Sequence, residues 1–168
     1  MKTYQPITAE IIEKLKAITG PTYVKTDKDL LLQYQTDYET NPAMFHLPEA
    51  AVSPANAQEI SDIVKLANEY DFPITVRSGG TSLADGAIPV CGGLVLCMDR
   101  LNKIIELNEE GMYMTVEAGV RTVDLQNAAK KVGLMYAGDP SSAESCLIGG
   151  NLATNAGGLR AGRYGVTR

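Results

Sequence analysis

The residues whose types and spacing could do chemistry lie in one run, Arg77-Ser78-Gly79-Gly80-Thr81-Ser82-Leu83-Ala84-Asp85-Gly86-Ala87. Two adjacent glycines let the backbone bend sharply and turn successive N–H groups into one concavity. Thr81 and Ser82 add two hydroxyl donors, and Arg77 adds a fixed positive charge at the entrance. Amides, hydroxyls and one cation together make a receptor for phosphate or pyrophosphate. A second stretch, Gly149-Gly150-Asn151-Leu152-Ala153-Thr154-Asn155-Ala156-Gly157-Gly158, carries four glycines and two asparagines and has the same chemical character. Read together, the two predict a grip on one extended ligand, a dinucleotide.

Each stretch has a plainer reading. Gly79-Gly80-Thr81-Ser82 alone is the composition of a turn. No Gly-Lys-Ser/Thr closes it as in a Walker A loop, and no Gly-x-Gly-x-x-Gly opens a helix. The second stretch is predicted to make a poor strand or helix, because it has four glycines, two asparagines and no branched apolar residue but Leu152. Its small side chains would let backbone lie against a flat ligand. Cys146, just before Ile148-Gly149-Gly150, is read as a small buried hydrophobe, with a reactive or tethering thiol as the alternative. His46 has no visible catalytic partner and reads as packing or surface. Asp85, Asp139 and Glu144 read as turn and cap residues. Tyr136 and Tyr164 are equally core residues or stacking rings.

The elements that must position these residues follow from periodicity. Pro73-Ile74-Thr75-Val76 is a short apolar run before the first loop and predicts a buried strand. Upstream, Ala50-Ala51-Val52 is a candidate first strand. Between them Ile60, Ile63, Val64 and Ala67 mark a helix face to about Tyr70, with Asn56 and Glu59 as a capping box. Strand, helix and strand within thirty residues favour a parallel pair, with the glycine loop at its carboxyl end, where open α/β sheets hold ligands. Gly93 to Met98 reads as a buried strand. Lys103–Asn108 and Met112–Glu117, around Glu109-Glu110-Gly111, read as an antiparallel hairpin. Leu125, Ala128, Ala129 and Val132 give a further helix, capped by Thr122 and stopped at Gly133. Ile11, Leu15 and Ile18 place a helix near the start, with Thr8 as N-cap and Gly20 as stop. Asp27 to Tyr34 forms a second short helix and Tyr38 to Pro48 an irregular crossing. Only Gly20 of the sixteen glycines precedes Gly79, so a helical lead-in (1–48) is followed by a part rich in turns and close approaches (49–168).

Composition bounds the function classes. The chain has 168 residues and a formal charge of −5. No long basic run is present, which argues against nucleic acid or an anionic membrane as partner. Three cysteines, Cys91, Cys97 and Cys146, form no disulfide framework or zinc spacing, and His46 is the one histidine. No signal peptide or membrane span is read, so the expected compartment is the cytoplasm.

Val76-Arg77-Ser78-Gly79-Gly80-Thr81-Ser82, Asp139-Pro140-Ser141-Ser142 and Ile148 to Gly158, extended by Arg163-Tyr164-Gly165-Val166-Thr167-Arg168, resemble the FAD-binding domain of the vanillyl-alcohol oxidase and para-cresol methylhydroxylase superfamily. The likeness is greatest to the branch of the glycolate oxidase flavin subunit and FAD-linked D-lactate dehydrogenases, and it runs from about Ala50 onward. The resemblance implies an α+β fold: a small parallel βαβ lobe and a larger antiparallel lobe, here incomplete, with helices. It implies that Ser78, Gly79, Gly80, Thr81 and Ser82, flanked by Arg77 and Leu83, hold the FAD pyrophosphate. It places Pro140, Ser141, Ser142, Gly149, Gly150, Asn151, Ala153 and Thr154 along the rest of the flavin. Some relatives attach the flavin to a His in the first loop; Thr81 stands there, which implies non-covalent FAD.

The implied activity is flavin-dependent oxidation of a small 2-hydroxy acid, of glycolate or D-lactate type, to the 2-oxo acid. Family members continue beyond this point into the remaining strands of the domain and a substrate domain. The expectation is therefore a chain truncated at its C-terminus, inactive alone, with self-association through surfaces left uncovered. The alternatives are a stand-alone FAD-binding subunit of a multi-chain oxidoreductase and a non-catalytic remnant of the fold.

Overall fold

The computed structural model describes residues 3–38 and 41–168. They fall into two compact units, Met1–Arg100 and Leu101–Arg168. Among the described residues no helix is long and apolar enough to cross a membrane.

The first unit is a four-stranded sheet with helices. Helix α1 (Ala9–Thr19) starts where the Thr8 side chain accepts from the Ile11 N–H, and it ends at Gly20. It buries Ile11, Leu15 and Thr19, while Ile18 is only half-buried. Strand β1 (Val24–Lys25) and the short helix α2 (Lys28–Leu31) follow, the latter running into a 3-10 turn, Leu32–Tyr34. Pro42–Met44 is another 3-10 turn. Then come β2 (Ala50–Val52), α3 (Ala57–Tyr70), β3 (Ile74–Arg77) and β4 (Leu94–Cys97).

The order across the sheet is β1-β2-β4-β3. Strands β2, β4 and β3 run parallel, and β1 pairs antiparallel with β2. The two strands flanking α3 are therefore parallel members of one sheet, but they do not pair directly: β4 lies between them. All four of its residues are buried, the signature of a strand covered on both faces. One face packs Ala51, Val95 and Cys97 with Leu31 and Tyr34 of the lead-in. Gly93 feeds β4 into this position with φ +67°, and a Cβ there would collide with Pro73.

Helix α3 has the expected cap. Asn56 accepts from the Glu59 N–H, and the Glu59 carboxylate accepts from Asn56 Nδ2 and from the Ala55 N–H at 2.7 Å. Its buried face is Ile63, Leu66 and Ala67; Val64 is exposed.

The second unit contains the hairpin β5 (Ile104–Asn108) and β6 (Tyr113–Val116), with a register shift between Ile104 and Glu106. Helices α4 (Thr122–Lys131), α5 (Ile148–Ala153) and α6 (Ala161–Tyr164) follow. Its core joins Val120, Leu125 and Ile148, with Met114, Val116 and Tyr136 against them. Two expectations are corrected here. Thr122 is not the cap of α4: the N-cap is Arg121, and the Thr122 side chain is fully buried. The glycine-rich segment is in part helical. Propensity is overridden there by tertiary contacts, since Asn151 is buried on Thr122 and Gly149 lies so close to Ala118 that a Cβ would sit 2.9 Å from the Ala118 Cβ.

Candidate functional site

In the first unit the parallel strands deliver the chain into Ser78-Gly79-Gly80-Thr81-Ser82 at their carboxyl end. Arg77, the last residue of β3, pairs with Cys97, and its carbonyl accepts from the Met98 N–H. Beyond it the ladder stops. Ser78 through Ser82 are half-buried. Among the described residues, the backbone N–H groups of Gly79, Gly80, Thr81 and Ser82 donate to no protein acceptor. Four consecutive half-buried donors left over by the fold can receive an anion, because such groups are otherwise paired. Gly80 has φ +63°, which a side chain would strain. The Ser82 hydroxyl accepts from the Ala84 N–H at 3.0 Å, and Leu83 is 81% exposed.

The Arg77 side chain does not reach into this concavity as an open charge. Its Nη1 donates to the Thr36 carbonyl at 2.7 Å, and its guanidinium lies 5.8 Å from the centre of the Tyr34 ring. Burial lowers its pKa from the ordinary value, opposed by Cys97, Asp37 and Tyr34. Lys25 donates to the Tyr34 hydroxyl at 2.7 Å, which raises the lysine pKa. A second tie joins the same segments, since the Tyr38 N–H donates to the Ser82 carbonyl at 3.2 Å. Thr36 and Tyr38 carry no sequence signal for this role: they stand some forty residues upstream in an irregular segment.

In the second unit the predicted residues divide. Pro140-Ser141-Ser142 forms a turn in which the Pro140 carbonyl accepts from the Ala143 N–H and the Ser142 carbonyl from the Cys146 N–H. The hydroxyls and N–H groups of Ser141 and Ser142 bond to no other described residue, so this turn keeps free donors. The 149–154 segment spends its donors internally. Gly149 N–H bonds the Ala118 carbonyl at 2.8 Å, those of Gly150 and Asn151 bond the Leu147 carbonyl, and that of Thr154 bonds the Gly150 carbonyl. The Thr154 hydroxyl also bonds the Gly150 carbonyl. Asn151 is buried, with Nδ2 2.6 Å from the Thr122 hydroxyl, while Ala153 is exposed. What this segment presents outward is the side chains of Leu152, Ala153 and Thr154 rather than a cradle of amides.

Cys146 is buried with Sγ 3.1 Å from the Thr122 hydroxyl, in keeping with a small buried hydrophobe. His46 is half-buried and donates its N–H to the Gln35 carbonyl. The Asp85 backbone is left-handed, and its Oδ1 is buried with no hydrogen-bond partner among the described residues. Asp139 accepts from Gln126 and pairs with Arg160. The described residues hold no cluster that would bind a metal. A mainly apolar cavity of about 510 Å³, lined among others by Leu107, Met114, Leu125, Tyr136, Ile148 and Leu152, lies within this unit.

Comparison with known proteins places this geometry. The family described as the FAD binding domain matches residues 48–168. The chain is 40% identical over 162 residues to the glycolate oxidase subunit GlcD of Bacillus subtilis (strain 168), covering 96% of this chain and 34% of the relative. It is 34% identical over 168 residues to the D-lactate dehydrogenase of Anaerostipes hadrus, covering 98% and 34%. Among solved structures, an alkyldihydroxyacetonephosphate synthase superposes with a TM-score of 0.84 at 24% identity over 99% of this chain and 32% of that one, a likeness of fold. The chain thus spans about a third of the length of the relatives it matches.

Proposed function

Because this chain belongs to the FAD-binding domain family, we propose that it forms the flavin-binding part of an oxidoreductase that converts a small 2-hydroxy acid to the 2-oxo acid. The substrate class rests on the relatives, one named a glycolate oxidase subunit and one a D-lactate dehydrogenase. The observation that carries the cofactor half is the run of four half-buried N–H groups, Gly79 to Ser82, with no acceptor among the described residues. They suit the pyrophosphate of FAD: two negative phosphates need several fixed donors, and backbone amides supply them without reorganisation.

On this reading Ser78, Gly79, Gly80, Thr81 and Ser82 bind the pyrophosphate, with Leu83 beside them. Ser141 and Ser142, set by Pro140, add hydroxyl and amide donors. Gly149, Gly150, Ala153 and Thr154 offer small-residue surface to the flavin, and buried Asn151 holds that segment in shape through the Thr122 hydroxyl. Bound there, FAD supplies a two-electron acceptor, so that the hydroxy acid loses two electrons and two protons as its C–OH becomes C=O. The flavin is held without a covalent bond: Thr81 offers no nucleophilic ring nitrogen, and Cys146 is sealed in the core. Three free cysteines, Cys91 among them exposed, suit a reducing compartment such as the cytoplasm. Self-association through exposed apolar surface, such as Leu159 at 94% exposure, belongs to the same reading.

The test is visible absorbance of the purified chain after addition of excess FAD and filtration. A retained flavin spectrum, released on denaturation, is the expected result. A colourless protein that leaves all FAD in the filtrate refutes the proposal for this chain.

A further inference from the structure

We propose that Arg77 is a positioning residue for the pyrophosphate loop: it clamps the Gly79–Ser82 turn to residues 34–38 and is not itself a phosphate ligand. This rests on the flavin reading above and assigns one of its residues a different task. Three observations converge. The guanidinium is committed inward, with Nη1 on the Thr36 carbonyl at 2.7 Å and its carbon 5.8 Å from the centre of the Tyr34 ring. It occupies the space where a Cβ of residue 80 would stand, so Gly80 is closed against it. The Tyr38 N–H holds the Ser82 carbonyl from the same upstream segment at 3.2 Å.

The loop is therefore fastened at both ends of its turn to one irregular segment of the lead-in. That lead-in lies outside the matched family region, which begins at residue 48. Burial, which lowers the Arg77 pKa against the opposing effect of Cys97, Asp37 and Tyr34, goes with a guanidinium turned toward the Thr36 carbonyl, so the loop's pull on phosphate falls to its N–H groups. Lysine is a poor substitute: its ammonium is a compact, strongly hydrated point charge, without the broad guanidinium that reaches the Thr36 carbonyl while standing 5.8 Å from the Tyr34 ring centre.

The experiment compares the parent chain with Arg77→Lys, Tyr34→Leu and the double variant. Tyr34 touches the clamp but belongs to none of the proposed cofactor contacts. The first readout is hydrogen exchange of the Tyr38 amide without flavin. Arg77→Lys is expected to speed it tenfold or more while the amides of β4 keep their protection. The second is the FAD dissociation constant beside that of riboflavin, which has no phosphate. Each single variant is expected to weaken FAD about tenfold, on the order of one hydrogen bond to a charged group, and to leave riboflavin unchanged. The double variant is expected to lose no more than either single one, since both break the same tie.

Unchanged Tyr38 exchange in Arg77→Lys overturns the clamp and leaves the flavin reading standing. Normal FAD affinity in Tyr34→Leu, with a loss in Arg77→Lys alone, overturns it in favour of direct ligation. A parent chain that retains no FAD overturns the flavin reading and the cofactor role of Arg77 with it. If Tyr34→Leu does not fold, Tyr34→Met takes its place, because it fills more of the buried site while still removing the ring beside the Arg77 guanidinium.

Discussion

Replacing Thr122 by Val tests what holds the second glycine-rich segment in shape. The two side chains are nearly the same size, so the change removes a hydroxyl and little else. That hydroxyl is fully buried, accepts from Asn151 Nδ2 at 2.6 Å and touches Cys146 Sγ at 3.1 Å. Asn151 is itself 4% exposed, so its amide has no route to water when the acceptor goes. An unsatisfied buried donor costs about 1–3 kcal/mol. For a chain of this length that lowers the melting temperature by roughly 3–10 °C. Thermal and urea unfolding followed by circular dichroism measure it. The companion variant is Thr122→Val with Asn151→Leu, which removes donor and acceptor together. It should recover part of the loss, giving a coupling of at least about 0.5 kcal/mol in a double-mutant cycle. A Thr122→Val variant within about 0.5 kcal/mol of the parent, or purely additive changes, would refute the idea that this pair fastens α5.

Burial pushes the Cys97 thiol up to about 11. The unfolded thiol ionises near its ordinary value of 9.0 while the folded one stays protonated, so the folded state holds more protons and stability falls as pH rises between the two. The loss reaches about 2–3 kcal/mol by pH 11; Cys97→Ala should flatten that part of the urea-midpoint profile, and an identical profile in both proteins speaks against it. Gly93→Ala should destabilise the chain by about 2 kcal/mol or more, since it combines a left-handed backbone with a Cβ driven into Pro73; a neutral melting curve would show that the entry to β4 relaxes freely.

Local features were legible in the sequence wherever the physics is local. Ile74-Thr75-Val76 running toward two glycines indicates a strand that ends in a loop, although its expected burial fails because β3 is an edge strand with Val76 exposed; Thr8 and Asn56 are caps recognisable from their neighbours. The family resemblance, carried by motifs in both units, identified the cofactor class now supported by the matched relatives. Strand order was not legible: nothing in Gly93–Met98 says that it inserts between the two earlier strands, because a buried apolar run fits any interior position. The helical turn at Ile148–Ala153 was misread for a physical reason. Glycine is a poor helix former in isolation, yet here its missing side chain lets the backbone approach Ala118. The Arg77–Thr36 contact spans 41 residues and ends on a backbone carbonyl, which leaves no mark on residue type.

The place of β4 has a consequence for synthesis. In unit 1 it is made last, yet it is the strand that both β2 and β3 need as neighbour. While the ribosome is still producing residues 78–93, β3 has no partner at all and β2 has only the two-residue β1. Two or three residues of pairing do not hold a sheet in water. The parallel sheet therefore closes in one late step, once residue 97 is free of the exit tunnel, and Arg77 and its loop take their final shape only then. A chain halted with β3 outside the exit tunnel and β4 still within it would hold β3 unpaired and β2 paired only with β1, open strand edges of the kind that invite wrong pairing.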